Sequence, residues 1–249
     1  MAHKTVYLMR GLPSCGKSHT ARQIAGDSGV VCETDAYFYI EVGTDPTQYD
    51  YDRSLLDTAR RWNLARFVKA VDEGITPVVV DRGNGRSLYT QAYARYAVDN
   101  GYDVTLAEPE SPWWADIRVL LKYRPVTSTI LDDWAVRLAK MSRSTHRTPL
   151  AEIRRRIDRW ADDLTVEHIL DYVPGGNNGK RMDIGSDGST ENVDDTSAVI
   201  TMPRRALMLG AQEDMSVAAT SRAVNRQVEH RKKDTDAVMV FDADGGEFM

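Results

Sequence analysis

The sequence predicts an α/β fold in which helices cover both faces of a parallel sheet. Over residues 4–165, short apolar runs alternate with longer stretches of helical periodicity. This alternation is typical of parallel strands joined by helices. The run at residues 77–80 has the composition of a strand buried on both faces, and the run at residues 6–9 leads into a turn that contains glycine.

Four apolar runs are predicted to form the strands of this sheet. They lie at residues 6–9, 30–33, 77–80 and 102–107. Each is bounded by glycine, proline or acidic residues, which favour turns at strand ends.

Five segments are predicted to form helices from their apolar periodicity and their end signals. They lie at residues 18–25, 52–73 and 87–100, from Ser111–Pro112 onward and from Thr148–Pro149 onward. Ser87, Ser111 and Thr148 are expected to cap their helices, because a serine or threonine hydroxyl accepts a hydrogen bond from a free amide in the first turn. In the last helix an apolar stripe is expected at Leu150, Ile153, Ile157, Trp160 and Leu164.

The composition changes sharply near residue 173. All five tryptophans lie at or before Trp160, the last tyrosine is Tyr172, and residues 174–198 are rich in Gly, Ser, Thr, Asn and Asp. Such a segment buries too little apolar surface to offset the entropy lost on ordering. We therefore predict a folded domain at residues 1–173 and a low-complexity, largely disordered C-terminal extension at residues 174–249.

The overall charge and the cysteine content exclude several classes of protein. The 37 acidic residues exceed the 32 basic residues, which gives a formal net charge of −5. This charge argues against a chain-wide cationic surface for duplex DNA, although a local basic face stays open. With two cysteines, no membrane-length apolar run and no apolar N-terminal segment, we expect a soluble cytoplasmic protein without a disulfide scaffold.

The strongest motif lies between the first strand and the first helix. Residues 11–18, Gly-Leu-Pro-Ser-Cys-Gly-Lys-Ser, fit the phosphate-binding pattern G-x-x-x-x-G-K-[ST]. Glycine allows the backbone to approach phosphate oxygens closely, and the amides at the helix start favour negative charge. The alternative is a glycine turn that merely joins a strand to a helix, but the flanking strand and helix are both in the expected places.

This motif leads us to predict ATP and Mg²⁺ as ligands. Lys17 would bridge the β- and γ-phosphates, and the Ser18 hydroxyl would bind the metal. Cys15 is interpreted as a small filler residue rather than a catalytic thiol. The predicted ATP-binding residues are Gly11, Leu12, Pro13, Ser14, Cys15, Gly16, Lys17, Ser18, His19 and Arg147.

A carboxylate after the second strand is the candidate general base. Asp35 follows the run at residues 30–33, whose carboxyl end is expected at the same sheet edge as the phosphate-binding turn. A carboxylate there can accept the proton of an attacking hydroxyl. The alternative is a helix cap or a turn residue. Tyr37, Phe38 and Tyr39 follow, and they fit either a wall for a base or sugar or a part of the core.

A second carboxylate, Asp81, ends the third predicted strand. This position suits a group that binds Mg²⁺ through water or orients an arginine. The alternative is a plain turn, since Gly83, Asn84 and Gly85 follow. We predict Ser18 and Asp81 as metal ligands, and Asp81, Asn84 and Tyr37 as acceptor-binding residues.

An arginine-rich segment precedes and fills the last helix. Arg143 and Arg147 are candidates for a mobile lid that brings positive charge to the transferred phosphoryl group. A solvated basic face is the better interpretation for most of Arg154, Arg155, Arg156 and Arg159. His146 is interpreted as a structural turn residue rather than a catalyst.

In order and spacing, these motifs resemble a known group of enzymes. Residues 8–18, 33–35, 80–84 and 143–149 look like those of phage-type polynucleotide 5′-hydroxyl kinases and of the related kinase domain of the Nedd-type ubiquitin-ligase-binding protein. Glu108–Pro109 and the helix after them also resemble that domain. The likeness covers roughly residues 4–165.

The resemblance implies a P-loop three-layer sandwich with strand order 2-3-1-4-5 and a helical lid. It implies Lys17 and Ser18 as phosphate and Mg²⁺ contacts, Asp35 as general base, Arg143 as lid arginine and Asp81 as the acidic residue near the acceptor. The sequence departs from phage-type kinases at Phe38, where they carry an arginine shortly after the base, and residues 122–141 look like an insertion before the lid.

These observations predict an ATP-dependent phosphotransferase that acts on the 5′-hydroxyl of a polynucleotide, with a single-stranded 5′ end as partner and no membrane contact. Two alternatives stay open: a kinase for small hydroxyl compounds of toxin or antibiotic-resistance type, and an ATP-gated binding module without meaningful turnover. Residues 237–245 resemble the first motif of haloacid-dehalogenase-type phosphatases, but we expect no phosphatase activity from this chain.

Overall fold

A four-stranded parallel sheet forms the centre of the structure, a computed structural model that describes residues 3–41 and 49–174. The strand order is β2-β3-β1-β4, and every neighbouring pair is parallel. The strands are β1 (Thr5–Met9), β2 (Val30–Glu33), β3 (Val78–Asp81) and β4 (Asp103–Ala107). The predicted parallel α/β fold is confirmed, and the order 2-3-1-4 matches the prediction; within the two described segments, no fifth strand follows.

Helices connect the strands and then form a second cluster. The α-helices are α1 (Lys17–Ala25), α2 (Tyr37–Ile40), α3 (Leu56–Asp72), α4 (Leu88–Asp99), α5 (Pro112–Lys122), α6 (Arg124–Met141), α7 (Leu150–Asp158) and α8 (Val166–Leu170), with short 3-10 turns at Arg53–Leu55 and Ser142–Ser144. All five predicted helical segments form. The short helices α2 and α8 and the long helix α6 were not predicted.

The sheet separates two apolar layers because alternate side chains of a strand point to opposite faces. Val6, Leu8 and Val80 pack with α3, α4 and α8 on one face. Met9 and Val79 pack with the buried alanines of α1 on the other face. The arrangement is a three-layer sandwich, as predicted.

A third apolar cluster joins α5, α6 and α7 to the glycine turn. Trp114, Leu138 and Ile153 are buried in this cluster together with Leu12 and Cys15 of the turn. The segment interpreted as an insertion therefore contains α6, which packs against both α5 and α7. The helical subdomain and the phosphate-binding turn share one core.

The capping predictions are confirmed at two helices and wrong at a third. The Ser87 and Ser111 hydroxyls accept hydrogen bonds from the amides of Thr90 and Trp114. The expected cap at Thr148 fails because Pro149 itself is the N-cap of α7, which has no side-chain cap.

The helix α7 also ends earlier than the predicted apolar stripe. Its last residue is Asp158, so Trp160 and Leu164 lie beyond it, although both are buried. The predicted C-terminal extension and its phosphatase-like segment lie, apart from residue 174, outside the described residues. Among the described helices, none is long and apolar enough to cross a membrane.

Candidate functional site

The carboxyl ends of β1, β2 and β3 bring the predicted site together at one edge of the sheet. Glu33 of β2 and Asp81 of β3 are paired residues in the strand register. The charges of both Asp81 and Asp35 act on the Lys17 ammonium, which lies in the first turn of α1. The predicted phosphate-binding lysine, metal-binding carboxylate and general base therefore share one location.

The turn between β1 and α1 has a backbone that only small residues allow. Gly11 has φ = 146°, and a Cβ atom there would lie 2.9 Å from Cγ of Pro109. Gly16, the N-cap of α1, has the left-handed φ of 86°, and Ser14 has φ = 60°. This backbone leads directly into the helix start, where free amides favour an anion.

The helix α5 holds this turn from outside. The Ser111 hydroxyl donates to the Cys15 carbonyl over 2.9 Å, and the Trp113 indole nitrogen donates to the Ser14 carbonyl over 3.1 Å. Burial raises the pKa of the Cys15 thiol to about 12, so the thiol is protonated at neutral pH and is a poor nucleophile. The interpretation of Cys15 as a filler residue agrees with this position.

The Lys17 ammonium lies inside the turn. It donates to the carbonyls of Gly11 and Leu12 over 3.1 and 2.8 Å. Burial lowers its pKa, and the negative charges of Asp81 and Asp35 partly oppose that shift. A desolvated ammonium inside a glycine turn is suited to bind a phosphate oxygen that enters from solvent.

Ser18 and Asp81 form the pair expected of a divalent-metal site. Burial raises the pKa of Asp81 to about 6, with a further contribution from Glu33, while a hydrogen bond with Ser18 and the charge of Lys17 oppose the shift. The Oδ2 atom of Asp81 is buried and has no hydrogen-bond partner. A buried carboxylate oxygen without a donor, beside a serine hydroxyl, is the donor set that Mg²⁺ prefers, and the residues therefore fit the metal.

Asp35 is held by two side chains that the chain brings from different segments. The Tyr49 hydroxyl donates to Oδ1 over 3.3 Å, and Nδ1 of His146 lies 3.2 Å from Oδ2. The Asp35 side chain is 42% exposed, so an acceptor can reach it. Within the described residues, these contacts to the two carboxylate oxygens come from side chains of distant segments.

Glu33 completes a small cluster with these groups. One ligand atom from each of Glu33, Asp35 and His146 lies within 4.8 Å of the others, which is a geometry that could hold a cation. All three residues are partly exposed, and clusters of this kind are common without a metal. The buried Asp81 carboxylate beside Ser18 fits a metal ion better than this partly exposed cluster does.

The predicted lid arginines lie apart from the cleft that other arginines line. Arg143, Arg147 and the predicted ATP contact His19 are exposed to solvent. Arg155, Arg156 and Arg159, interpreted as part of a solvated basic face, line an open cleft beside the glycine turn. That interpretation fits Arg154, which is 47% exposed and pairs with Asp132, but the side chains of Arg155 and Arg156 are only 18% and 20% exposed.

Glu152 fixes two of the cleft arginines. Its Oε1 atom lies 2.7 Å from Nη2 of Arg155 and 2.6 Å from Nε of Arg156. The positive charge of Arg156 contributes to the lowered pKa of Lys17, so the two cations are close. Two like charges held near each other in a cleft favour the binding of an anion between them.

The remaining predicted acceptor residues have structural contacts. The Asn84 amide nitrogen donates to the carbonyls of Met9, Val80 and Arg82, which leaves only its buried Oδ1 without a partner. Tyr37 packs edge-on against Phe38 and Trp62. Phe38 is fully buried, so this member of the aromatic run belongs to the core.

Sequence reasoning missed His146, Tyr49 and the cleft arginines as site residues. Tyr49 belongs to no recognisable motif, so no local signal could have found it. His146 lies within the predicted lid motif, between Arg143 and Arg147 and just before Pro149. This position was the available signal that His146 could lie in the site.

Comparisons with known proteins agree with this geometry. Residues 6–116 match a protein-family model described as an AAA domain. Human NEDD4-binding protein 2 is 37% identical over 109 residues, which is 43% of this chain and 6% of that protein. The rat and mouse YLP motif-containing protein 1 are each 30% identical over 126 residues, which is 42% of this chain and 9% of each relative. The chain thus spans less than a tenth of the length of these relatives. The family match runs from β1 into α5 and so includes the glycine turn.

Proposed function

We propose that this protein transfers the γ-phosphate of ATP to the 5′-hydroxyl of a polynucleotide. The observation that carries the proposal is the joint position of Lys17, the Ser18–Asp81 pair and the accessible carboxylate of Asp35 at one sheet edge. A nucleotide hydrolase needs no carboxylate base for an alcohol there, whereas a kinase does.

The proposed reaction uses these residues as follows. Lys17 and the amides of the turn bind the triphosphate, and Asp35 accepts the proton of the acceptor hydroxyl. As that O–H bond breaks, the alcohol oxygen bonds to the γ-phosphorus, and ADP leaves with the electron pair of the broken P–O bond. Mg²⁺ bound at Ser18 and Asp81 would supply charge neutralisation on the phosphates.

The cleft arginines extend this proposal. The role predicted for Arg143 is proposed to belong to Arg156, because Arg156 is the arginine whose charge reaches Lys17. Positive charge at this point stabilises the phosphoryl group during transfer. The polynucleotide acceptor is supported by the order and spacing of the motifs, and an anionic acceptor is compatible with the charge of the cleft.

A transfer assay with γ-labelled ATP tests the proposal. It compares 5′-hydroxyl DNA, 5′-hydroxyl RNA and a panel of small hydroxyl compounds. We expect label on a polynucleotide 5′ end, and we expect Asp35→Asn to lower the rate by about 10²- to 10⁴-fold while ATP affinity is kept. Asp27→Asn, at an exposed position after α1, is the matched control and should keep full activity.

Two outcomes would contradict the proposal. Label on a small hydroxyl compound alone would favour the small-molecule kinase. ATP binding without transfer to any acceptor, in wild type and Asp35→Asn alike, would favour the binding module.

A further inference from the structure

The lid loop, which we define as residues 142–149, carries an imidazole to the proposed base. His146 lies more than one hundred residues after Asp35 along the chain, yet its Nδ1 atom is 3.2 Å from Oδ2 of Asp35. This nitrogen is shielded from solvent, and none of the described residues, Asp35 included, gives it a hydrogen bond of good geometry. The carboxylate is the polar group that it faces.

The shape of the lid loop is fixed by one buried serine. The carbonyl of Ser142 accepts from the amides of Thr145 and Arg147, over 3.1 and 2.7 Å. The hydroxyl of Ser142 accepts from the amide of Thr148 over 2.7 Å. Ser142 is only 1% exposed, so the loop that presents His146 is anchored at the end of α6.

The carboxylate of Asp35 is held from both sides. Tyr49 donates to one oxygen, His146 faces the other, and the Tyr49 ring packs edge-on against the imidazole at 5.1 Å. Each carboxylate oxygen has a second lone pair, so both contacts leave room for the proton of an acceptor. The two partners fix the direction in which the free lone pairs point.

We propose that His146 is a positioning residue that completes the general base when the lid loop lies over it. This inference rests on the proposed function and adds a condition to it: Asp35 is oriented for proton abstraction only while the lid loop is closed. Closure of the lid loop and orientation of Asp35 are then the same step. If a nucleotide binds while the lid loop is open, the Asp35 carboxylate is free to rotate. Orientation of a reacting group is a large contribution to catalysis.

The charged and titratable groups around the imidazole come from several elements. Glu33 at the end of β2 and Asp35 just after the strand face it. Tyr49 faces it from the following loop, and Lys17 of α1 acts on Asp35. Tyr39 of α2 is also close to both carboxylates. The proposal therefore rests on contact geometry and not on a change of charge at any one of these groups.

The test compares His146→Ala with His146→Asn. Asparagine places a side-chain amide near the position of Nδ1, so it can restore the contact that alanine removes. We expect His146→Ala to lower kcat for phosphate transfer about tenfold or more with little change in KM for ATP, and His146→Asn to recover most of that loss. His3→Ala is the matched control, because His3 pairs with Asp103 over 2.6 Å at the other edge of the sheet and should have no effect.

A double mutant separates positioning from a structural role. If His146 acts through Asp35, His146→Ala should lower the rate of Asp35→Asn no further, because the group that it orients is gone. Equal fold-losses in both backgrounds, or an unchanged kcat in His146→Ala, would overturn the proposal. Thermal unfolding of each variant shows whether a loss of activity comes from misfolding.

A second measurement does not depend on transfer. Amide hydrogen exchange of residues 142–149, with ATP and Mg²⁺ and without acceptor, reports whether the loop is closed. We expect faster exchange in both His146→Ala and Asp35→Asn than in wild type. Unchanged exchange in both variants would overturn the inference even if transfer is observed, whereas faster exchange together with silence toward every acceptor would reject the proposed function and leave the lid contact standing.

Discussion

The glycine turn around Lys17 and the contact between Asp35 and His146 lie at the same sheet edge, but they are assembled in different ways. The turn is contained in residues 11–18, and its outer side is bound by α5 and shares the core of the helical subdomain. The contact around Asp35 joins three distant segments, and the side chains of Asp35 and His146 are 42% and 30% exposed. We therefore expect the turn, the proposed nucleotide side, to be the rigid half of the site, and the contact around Asp35, the proposed acceptor side, to be its mobile half.

The two halves should differ in the free energy needed to open them locally. Groups in a shared core open only with much of the domain, while exposed contacts between loops open at lower cost. A site with one rigid half and one mobile half can hold ATP continuously and admit an acceptor to the mobile half. The predictions below test this contrast, first on the rigid half and then on the mobile one.

Beyond Asp35→Asn and His146→Ala, the largest effect is expected from Lys17→Ala. This change removes the ammonium that lies against the carbonyls of Gly11 and Leu12, and we expect phosphate transfer to fall by about 10²- to 10³-fold or more. ATP affinity, measured by calorimetric titration, should fall as well. Lys69→Ala is the control, because the Lys69 side chain is 60% exposed and pairs only weakly with Glu73 at 4.0 Å. ATP affinity close to wild type in Lys17→Ala would contradict the assignment of the turn.

The same contrast explains which parts were predictable from the sequence. The turn at residues 11–18, the four strands and the serine caps depend on neighbours within a few residues, so local patterns specify them. The helix α6 was missed because its segment was interpreted as an insertion, although Leu131, Ala135 and Leu138 lie at helical spacing. Their spacing identifies a buried face only once α5 and α7 are known to pack there.

The arginines of α7 were misinterpreted for a similar reason. The polar face of an amphipathic helix is usually solvated. Here the apolar residues Ile153 and Ile157 pack into the cluster with α5 and α6, which directs Arg155 and Arg156 toward the glycine turn. Periodicity predicts that a helix has two faces, but it cannot say what the polar face meets. The meeting of His146 and Asp35 is unpredictable on the same ground.

The next effect is smaller and concerns stability: we expect the substitution of Asp81 to stabilise the protein rather than to impair it. Its folded pKa of about 6 exceeds its ordinary value of 3.8, because burial and Glu33 disfavour the charged carboxylate. The folded state therefore binds a proton more tightly than the unfolded state, and stability without ligands should fall as pH rises from about 4 to about 6. Asp81→Asn should remove this dependence and raise the free energy of unfolding at pH 7 by about 1–3 kcal/mol.

Chemical denaturation between pH 4 and pH 7 measures this prediction. Asp27→Asn, at an exposed position, should keep the slope of wild type. Asp81→Asn should also lose Mg²⁺-dependent stabilisation by ATP, since a neutral amide binds the cation more weakly. If Asp81→Asn is less stable than wild type at pH 7 without ligands, burial does not disfavour the charged Asp81 carboxylate. Burial would then give no reason to place a metal ion at Asp81.

The smallest effect is expected from Tyr49→Phe, which removes one hydrogen-bond donor from the mobile half. Burial and the nearby Asp35 carboxylate raise the pKa of Tyr49, so its hydroxyl stays protonated and can only donate to Oδ1. The contact is long, at 3.3 Å, and Asp35 is partly exposed, so its loss should cost about 0.5–1 kcal/mol, a few-fold in kcat. The phenyl ring keeps the edge-on contact with His146.

Tyr96→Phe is the matched control. Tyr96 lies away from the site and donates a hydrogen bond of 2.6 Å to Asp72, so the loss of its hydroxyl should leave kcat unchanged. A loss in Tyr49→Phe as large as that in Asp35→Asn would mean that Asp35 is held as rigidly as Lys17, and the difference between the two halves of the site would disappear.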